Sequence, residues 1–571
     1  MPLVLDRNAP GSWRVEKIAV VGPGIVGMPM AALLAHARIR EGTDQPARVV
    51  VVQRASPTSA WKVDAINAGR SPIGGVEPGL DDIVADSVRA GILRATHDYA
   101  DLADADVILV CVQTDKNGFA PEYGPLMSAL GDIAAALQHK PAGNIPIIVF
   151  ESTLAPSSMR TVVRPFFAAH GLEEGRDILL GNSPNRVMPG RLVERVAAAD
   201  KLVAGLHPAT PQLIKRLYAR IVTGGELHPT NSLTAEIVKT LENAYRDVRI
   251  AFAAEMARWC DAHDVDFFAL RQQANVRLRR ADTASSDARA VPVGALLVPT
   301  VGVGGHCLPK DGILLWWRAL ERGLDSSRSL ILESRHINDE SPAETRRLAE
   351  RRFGAVQGRK VALLGVAYRF DSEDTRNSPT LVLARELIER GNHVTLHDPH
   401  VLERDQNLER TGTTARFTRD LDAALNGAEL VFLCTAHAAY ADVGTRLAAM
   451  HGLRGVVDGC NLLDPASLNG VADRYTGIGR GRGTPDAALV EFVVDSFRVM
   501  ERGVANELAT LIEFLNAEYA PDEFNRTSLA SVQRLARTCT TGCDIADAGP
   551  ITAAPAYHGF VSRLARTATG S

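Results

Sequence analysis

Lys17-Ile18-Ala19-Val20-Val21-Gly22-Pro23-Gly24-Ile25-Val26-Gly27 is the stretch whose reading decides the fold. Its first five residues form the short apolar run expected of a strand buried on both faces. A glycine-punctuated turn follows at once, and Met28 to Ala37 continues as a helix pattern. Gly22 permits the tight turn, Gly24 lets a backbone approach a pyrophosphate, and Gly27 lets helix pack on strand. The N-terminus of the following helix then favours negative charge. The spacing predicts a dinucleotide cradle, because the glycines lie between a strand and a helix as that motif requires. The next strand, Ala47 to Val52, ends in Gln53-Arg54 with no acidic residue to hold ribose hydroxyls. Gln53 could still bond ribose, while Arg54 could stack on adenine or meet a 2′-phosphate. NAD is therefore the expected cofactor, and Arg54 leaves NADP open as the alternative.

Working outward, apolar runs recur at Asp106 to Val112, Ile145 to Phe150 and Asp177 to Leu180, separated by helical stretches. This texture predicts a parallel sheet covered on both faces. Leu233 to Ala262 carries apolar residues at three- and four-residue spacing and predicts one long helix. A helical, arginine-rich stretch leads from it to a glycine-rich segment around Cys307. A second strand-and-helix series starts with the strand Lys360 to Gly365, the helix Leu381 to Arg390 and the strand His393 to His397. Glu429 to Cys434 and Gly455 to Val457 continue it. Val490 to Ala517 is expected to be helical, and the Thr-, Ala-, Gly- and Ser-rich remainder shows little periodicity.

A chain of 571 residues exceeds one core, so several domains are expected. The net charge of −4 gives no general attraction to nucleic acid or an anionic membrane. No run approaches the roughly 20 apolar residues of a spanning helix, and Met1 to Arg14 lacks a signal peptide's apolar core. The seven cysteines have no framework spacing, which suits a reducing cytoplasm. Cys539 and Cys543 are the only close pair, and without companion ligands they predict no metal site.

The chemistry centres on Gly302-Val303-Gly304-Gly305-His306-Cys307-Leu308-Pro309-Lys310-Asp311. A thiol beside a nicotinamide site is what oxidation of an aldehyde through a covalent thioester requires. A lysine near that thiol, Lys239 or Lys310, would favour the thiolate. Lys239 and Asn243 stand at i and i+4 of the long helix pattern, on one face. Side by side, an ammonium and an amide can stabilise a developing oxyanion.

These residues, with Glu77-Pro78-Gly79-Leu80, Glu151-Ser152-Thr153, Gly365-Val366-Ala367-Tyr368-Arg369, Asp374-Thr375-Arg376-Asn377-Ser378-Pro379, His397-Asp398-Pro399 and Tyr475 to Arg480, resemble the UDP-glucose/GDP-mannose dehydrogenase family over about residues 15 to 482. The resemblance implies an α/β fold of two Rossmann-like, doubly wound parallel-sheet domains joined by a long central helical dimerisation region, plus a C-terminal extension. It divides the chain into an NAD-binding domain at 15–225, a central helical domain at 226–335, a UDP-sugar-binding domain at 336–489 and an extension at 490–571. It implies a four-electron oxidation at C6 of a UDP-sugar by a cytoplasmic homodimer or higher homo-oligomer. Catalytic roles fall to Cys307, Lys239, Asn243, Asp311 and Thr153, with Asp311 and Thr153 positioning water. Cofactor contacts fall to Gly22, Gly24, Ile25, Val26, Gly27, Gln53, Arg54, Thr114 and Thr153. Substrate contacts fall to Asn185, Arg186, Lys239, Asn243, Gly304 and Arg376. No metal is implied.

Three departures stand out. Where many members carry Pro-Glu, with the glutamate assisting thioester breakdown, this chain has Pro184-Asn185. An amide cannot act as a general base, so either Asp311 and water suffice or hydrolysis is slow. The family's Asp-Gly-Arg is here Asp458-Gly459-Cys460, and Gln53-Arg54 replaces the usual acid. The run Arg186-Val187-Met188-Pro189-Gly190 and the His306-Cys307 pair are more similar to enzymes acting on UDP-N-acetylhexosamines such as UDP-N-acetylmannosamine. Lys310-Asp311 is more similar to the UDP-glucose type. A UDP-N-acetylhexosamine 6-dehydrogenase is the favoured reading. UDP-glucose 6-dehydrogenase, a two-electron oxidoreductase and a non-catalytic UDP-sugar-binding protein are the alternatives.

Overall fold

The computed structural model describes residues 13–57, 59–74, 77–187, 190–280, 294–464, 472–539 and 543–550. The chain forms two compact units, one from Met1–Glu242, Leu314–Leu324 and Leu508–Asp544, the other from Asn243–Ile313, Asp325–Glu507 and Ile545–Ser571. The helical, arginine-rich stretch expected to lead toward the Cys307 segment forms a helix at Phe267–Arg277, and residues 281–293 after it lie outside the described residues.

The first unit is built on eight strands: β1 (Lys17–Val21), β2 (Arg48–Val52), β3 (Leu93–Thr96), β4 (Val107–Val110), β5 (Ile147–Phe150), β6 (Leu179–Asn182), β7 (Lys201–Gly205) and β8 (Leu227–Asn231). Their order is β3-β2-β1-β4-β5-β6-β7-β8. Every neighbouring pair is parallel except β6 with β7. Alternate residues of β1 feed different cores: Ile18 and Val20 pack on one face, Ala19 and Val21 on the other. Burial on both faces explains why these strands read as unbroken Val/Ile/Leu runs. The helix α1 (Gly27–His36) follows the glycine turn. Strand order reverses between β1 and β4, which opens a crevice at the carboxyl ends of these strands. The strand expected at Asp177 to Leu180 begins two residues later. The short edge strand β3, the strand β7 and the other edge strand β8 carry no long apolar run and were not expected.

Helix α2 (Ser232–Ala262) matches the predicted span closely. Asn231 starts it, its Oδ1 accepting the Thr234 N–H at 2.8 Å. Next come α3 (Leu308–Glu321), which begins directly after Cys307, and α4 (Leu330–Asp339), capped by Ser329.

The second unit carries six strands: β9 (Lys360–Leu364), β10 (His393–His397), β11 (Phe417–Thr418), β12 (Leu430–Leu433), β13 (Gly455–Asp458) and β14 (Tyr475–Gly477). Their order, β11-β10-β9-β12-β13-β14, is wholly parallel. It repeats the order of the first six strands of the first sheet. Helix α5 (Pro379–Glu389) covers one face through Leu383 and Leu387.

Beyond the second sheet, α6 (Ala487–Asn516) realises the helix expected at Val490 to Ala517. A shorter helix, α7 (Leu529–Ala536), lies in the stretch whose weak periodicity predicted little structure. That stretch is ordered by side-chain amides: Asn516 and Thr527 exchange bonds of 2.8 and 3.1 Å, and Asn525 donates to the Leu206 carbonyl at 2.9 Å. Such contacts leave no hydrophobic period to read. Among the described residues no helix is long and apolar enough to cross a membrane.

Candidate active site

In the first unit the candidate cofactor site is the turn after β1. Gly22 adopts φ +93°, the conformation that favours glycine. A Cβ on Gly27 would lie 2.1 Å from the Gly22 carbonyl oxygen, so only glycine lets α1 start this close to the strand. A Cβ on Gly24 would meet nothing within 4 Å. Ile25 is partly exposed, and among the described residues nothing accepts from the backbone N–H groups of Ile25 or Val26. An open turn of this kind, with unclaimed donors at a helix N-terminus, fits the pyrophosphate of a dinucleotide.

Gln53 directly follows β2, and its Nε2 donates to the Arg54 carbonyl and to Ser59 Oγ, both at 3.1 Å. Arg54 turns its guanidinium to Ser128 Oγ, with Asp132 at 3.9 Å. Its charge is thus already directed at a carboxylate, which favours NAD over a 2′-phosphorylated cofactor. The Thr114 hydroxyl donates to the Thr153 carbonyl at 2.7 Å, tying together the segments that leave β4 and β5.

Beneath this crevice lies a buried polar cluster. Glu151 accepts from Lys201 Nζ at 2.8 Å, from Asn185 Nδ2 and from the Tyr218 hydroxyl. Lys201 also donates to Asn185 Oδ1 at 3.0 Å and to the Ser183 carbonyl at 2.9 Å. Burial pulls the Lys201 ammonium below its ordinary value, against the pull of Glu151. Burial and the Glu151 charge push the Cys111 thiol well up, and Tyr218 likewise.

Both polar atoms of Asn185 are therefore engaged by protein, where a substrate contact was expected. Arg186 is likewise engaged by protein. Its guanidinium is held by Glu242, by the Asp200 carbonyl at 2.9 Å and by Thr538 Oγ1 at 3.0 Å. Only 9% of the Arg186 side chain is exposed, so its charge is spent inside the first unit. Met188 and Pro189 of that run lie outside the described residues.

In the second unit, a separate group of residues surrounds Cys307. The cysteine is exposed, and its carbonyl accepts the N–H groups of Lys310 at 3.1 Å and Asp311 at 2.9 Å. It therefore stands at the N-terminal end of α3, where the helix dipole favours negative charge. Asp311 is fully buried. Its Oδ1 accepts from Lys310 Nζ at 2.6 Å and its Oδ2 from Asn243 Nδ2 at 2.6 Å. Each carboxylate oxygen of Asp311 thus accepts one protein donor, which ties the Asn243 amide to Lys310. Lys310 spends its charge on Asp311. Lys239 is half-buried one turn before Asn243 in α2.

The glycines before Cys307 admit protein. A Cβ on Gly304 would lie 2.4 Å from Tyr368 Cβ, and one on Gly305, at φ +86°, 2.9 Å from the Tyr368 ring. The Gly305 N–H donates to the Arg376 carbonyl at 2.8 Å, and Asn377 Nδ2 donates to the Gly305 carbonyl at 2.9 Å. The cysteine loop is thus knitted to the Asp374–Pro379 motif. Arg376 is paired with Asp374 through Nε at 2.9 Å and a second nitrogen at 2.6 Å, which raises its pKa further. Burial, then Asp374, pushes the Tyr368 phenol up. Cys307 is an electrostatic neighbour of both Tyr368 and Arg376.

The turn after β9 is closed by protein. Asp398 Oδ2 accepts the N–H groups of Val366 at 2.8 Å and Ala367 at 2.9 Å and a bond from His437 Nε2 at 3.0 Å. Asp371, His400 and His437 bring three possible metal-ligating atoms together. His437 Nδ1, however, accepts the Asp371 N–H at 2.9 Å. With both ring nitrogens engaged, the group belongs to the cradle of Asp398.

Residues 16–222 match the NAD binding domain of the UDP-glucose/GDP-mannose dehydrogenase family, 233–340 its central domain and 362–465 its UDP binding domain. The chain belongs to this family. It is an NAD-dependent nucleotide-sugar dehydrogenase, with both ligand-binding domains present. A UDP-N-acetyl-D-mannosamine dehydrogenase of Pyrococcus horikoshii is 28% identical over 475 residues, covering 81% of this chain and 99% of that protein. An NDP-N-acetyl-D-galactosaminuronic acid dehydrogenase of Ralstonia solanacearum is 30% identical, covering 77% and 95%. Among solved structures, a UDP-D-ManNAc dehydrogenase of Pyrococcus horikoshii superposes with TM-score 0.67 at 28% identity, covering 81% of this chain and 99% of that one.

Within a nucleotide-sugar dehydrogenase, the residues that sequence reasoning missed are informative. Lys201 opens β7 behind Asp200, where a lysine reads as a solvated strand end. Nothing local couples it to Glu151, fifty positions earlier. Tyr368 was seen only as part of a motif, and its place against Cys307 depends on a long-range contact. Glu77, from the Glu77-Pro78-Gly79-Leu80 motif, accepts the Leu192 N–H at 3.0 Å and braces the loop after Asn185.

Proposed function

We propose that this dehydrogenase oxidises the C6 hydroxyl of a UDP-N-acetylhexosamine to the carboxylate, in four electrons, through a thioester on Cys307. The observation that carries this reading is Cys307 itself: an exposed thiol at a helix N-terminus beside Tyr368 and Arg376, over the buried Asn243–Asp311–Lys310 group. The resemblance to UDP-N-acetyl-D-mannosamine and NDP-N-acetyl-D-galactosaminuronic acid dehydrogenases supports the amino-sugar class.

The turn Gly22–Gly27, with Gln53, Arg54, Thr114 and Thr153 around the crevice, would hold the cofactor. When bound, NAD supplies the hydride acceptor for both oxidations. In the first, the C6 alcohol becomes an aldehyde. The Cys307 sulfur then bonds to C6, giving a thiohemiacetal whose oxygen Lys239 and Asn243 stabilise. Asp311, paired with Lys310, keeps the Asn243 amide turned toward that oxygen. Loss of the second hydride from C6 leaves the thioester. Water then breaks the C–S bond, releasing the carboxylate and restoring the thiol, with Thr153 positioning that water. Arg376 and Gly304 take the nucleotide-sugar side of the site.

As part of the proposal, residues 15–225 serve the cofactor, 226–335 the central helices and the thiol, 336–489 the UDP-sugar, and 490–571 form an appended segment. The enzyme would work in the cytoplasm. The resemblance also implies a homodimer or higher homo-oligomer built on the helical span.

The test is a panel of UDP-sugars with NAD and NADP, followed by NADH absorbance and product analysis. Two NADH per UDP-N-acetylhexosamine with free uronate released is the expected result. One NADH per sugar would overturn the four-electron reading, and faster turnover of UDP-glucose would overturn the sugar class. Cys307→Ser should abolish uronate formation, since a hydroxyl cannot replace the thiolate at neutral pH.

A further inference from the structure

Where the family carries Asp-Gly-Arg, this chain has Asp458-Gly459-Cys460 at the end of β13. The turn there is fixed from inside. Asp458 is fully buried and accepts the N–H groups of Cys460 at 3.3 Å, Leu462 at 3.0 Å and Leu463 at 2.8 Å. A Cβ on Gly459 would lie 2.3 Å from Val301 Cγ2, and Asn461 Nδ2 donates to the Pro299 carbonyl at 3.3 Å. The turn therefore rests against the segment that runs on to Cys307, all within the second unit. Burial, then the Asp458 charge, pushes the Cys460 thiol well up. Position 460 thus contributes no charge at neutral pH.

A guanidinium reaches the same turn from the neighbouring strand. β14 ends at Gly477, and Arg480 lies just beyond it. Its Nε donates to Oδ1 of Asn461, the residue after Cys460, at 3.1 Å. Its guanidinium carbon lies 4.0 Å from the centre of the Phe268 ring, at stacking distance. One contact on the edge and one on the face fix the plane of the group. Arg480 is half-buried, yet among the described residues no carboxylate pairs with it. Asp458 feels its charge, but both oxygens of that carboxylate are turned to backbone N–H groups.

Other arginines of this unit are spent on acids: Arg335 on Asp247, Arg346 on Glu386 and Arg376 on Asp374. Arg480 keeps the donors on its two terminal nitrogens. A guanidinium held by its Nε and one face, with the terminal nitrogens open, presents the fork that matches a phosphate. Both β13 and β14 deliver their turns at the carboxyl edge of a parallel sheet, where ligands of such sheets bind.

We propose that Arg480 contacts the diphosphate of the UDP-sugar, supplying the cation that position 460 lacks. Asn461 and Phe268 are its positioning residues: the amide sets the direction of the fork and the ring shields one face from water. The assignment rests on the reading of the substrate as a UDP-sugar. Calorimetric titration of the full-length protein with UDP, in the absence of NAD, tests it. Arg480→Gln should weaken UDP binding about tenfold, and added KCl should weaken it further by less than in the parent, because one contact between charges is gone. A dissociation constant within about twofold of the parent's overturns the assignment. So does a weaker constant with the parent's salt dependence, which is what loss of a mere strut between Phe268 and Asn461 would give. Should the variant not fold, the unaltered protein decides. Saturating UDP should slow phenylglyoxal labelling of Arg480, mapped by mass spectrometry, while equal labelling with and without UDP overturns the assignment. A parent that binds no UDP would sink the substrate reading as well, whereas equal binding by parent and variant sinks Arg480 alone.

Discussion

The two sheets arrange their strands alike around a first strand, β1 in one and β9 in the other, yet the turns that follow have opposite chemistry. The first turn, Gly22–Gly27, leaves the Ile25 and Val26 N–H groups unclaimed among the described residues and has open space at Gly24. The second, Gly365–Ala367, has its N–H groups taken by Asp398. The residues that decide this are equivalent, each following its sheet's second strand directly: Gln53 after β2, Asp398 after β10. The topology makes a crevice in both units. The residue ending the second strand decides whether a ligand or the protein's own carboxylate fills the turn.

Removing that carboxylate should have the largest effect. Asp398 is fully buried and accepts from Val366, Ala367, His400, Val401 and His437. Asp398→Ala orphans these donors and should cost about 4 kcal/mol of stability. The pH dependence has a definite sign. Burial alone would raise the Asp398 pKa, but the His437 hydrogen bond, with the Ala367 and His400 N–H groups, outweighs it and holds the carboxyl at about 2. Its folded value lies below the unfolded value, so the stabilisation is full above about pH 4 and is lost as pH falls toward 2. Denaturant midpoints measured from neutral pH to pH 3 should fall less steeply for Asp398→Asn than for the parent. A loss below about 1 kcal/mol for the alanine variant would mean that the second turn does not depend on its acid.

The contrast between the turns also marks what could be read in the sequence. Both sheets, α1, α2 and α6 were legible because buried parallel strands and long helices impose periods of their own. Cys307 and Asn243 could be singled out because glycine context and helix spacing are local, whereas Asp311 came only with the family resemblance. The Glu151–Lys201–Asn185 cluster was not, since it joins three segments across the sheet end and Lys201 looks like a surface residue. Asp398 was visible in His397-Asp398-Pro399, but its role depends on β9 and β10 being neighbours. The protein partners of Arg186 were hidden for the same reason. A cation in a ligand-binding motif reads as a substrate contact until Glu242 and Thr538 are seen around it.

Alanine at one glycine of each turn should separate packing from binding. Gly365 has φ +98°, and a Cβ there would lie 2.5 Å from Thr435 Cβ. Gly365→Ala should cost about 3 kcal/mol through strain and overpacking. Gly24 has room for a methyl group, so Gly24→Ala should leave the thermal midpoint unchanged. The methyl would occupy the space through which a pyrophosphate approaches, weakening NADH binding about tenfold, or about 1.4 kcal/mol. Fluorescence titration with NADH and a thermal scan on both variants check this. Equal destabilisation by the two substitutions would erase the distinction between the turns.

The smallest effect comes from giving the first sheet the residue that the second one has. Gln53→Asp places a carboxylate directly after β2, and two fates compete for it. It can bond the ribose hydroxyls, as an acid at this position does in dinucleotide folds. Or it can fold back onto the Ile25 and Val26 N–H groups, as Asp398 does onto Val366 and Ala367. Asp398 is helped by His437, fully buried at 3.0 Å. The first turn has the Cys111 carbonyl as its close neighbour instead, 3.0 Å from a Gly22 Cβ position, and a carbonyl offers a carboxylate no stabilisation. The ribose should therefore win, tightening NADH about threefold, or about 0.7 kcal/mol, with no change in thermal midpoint. A raised midpoint with weakened NADH binding would mean that the new carboxylate had closed the turn, and that His437 is dispensable for such closure.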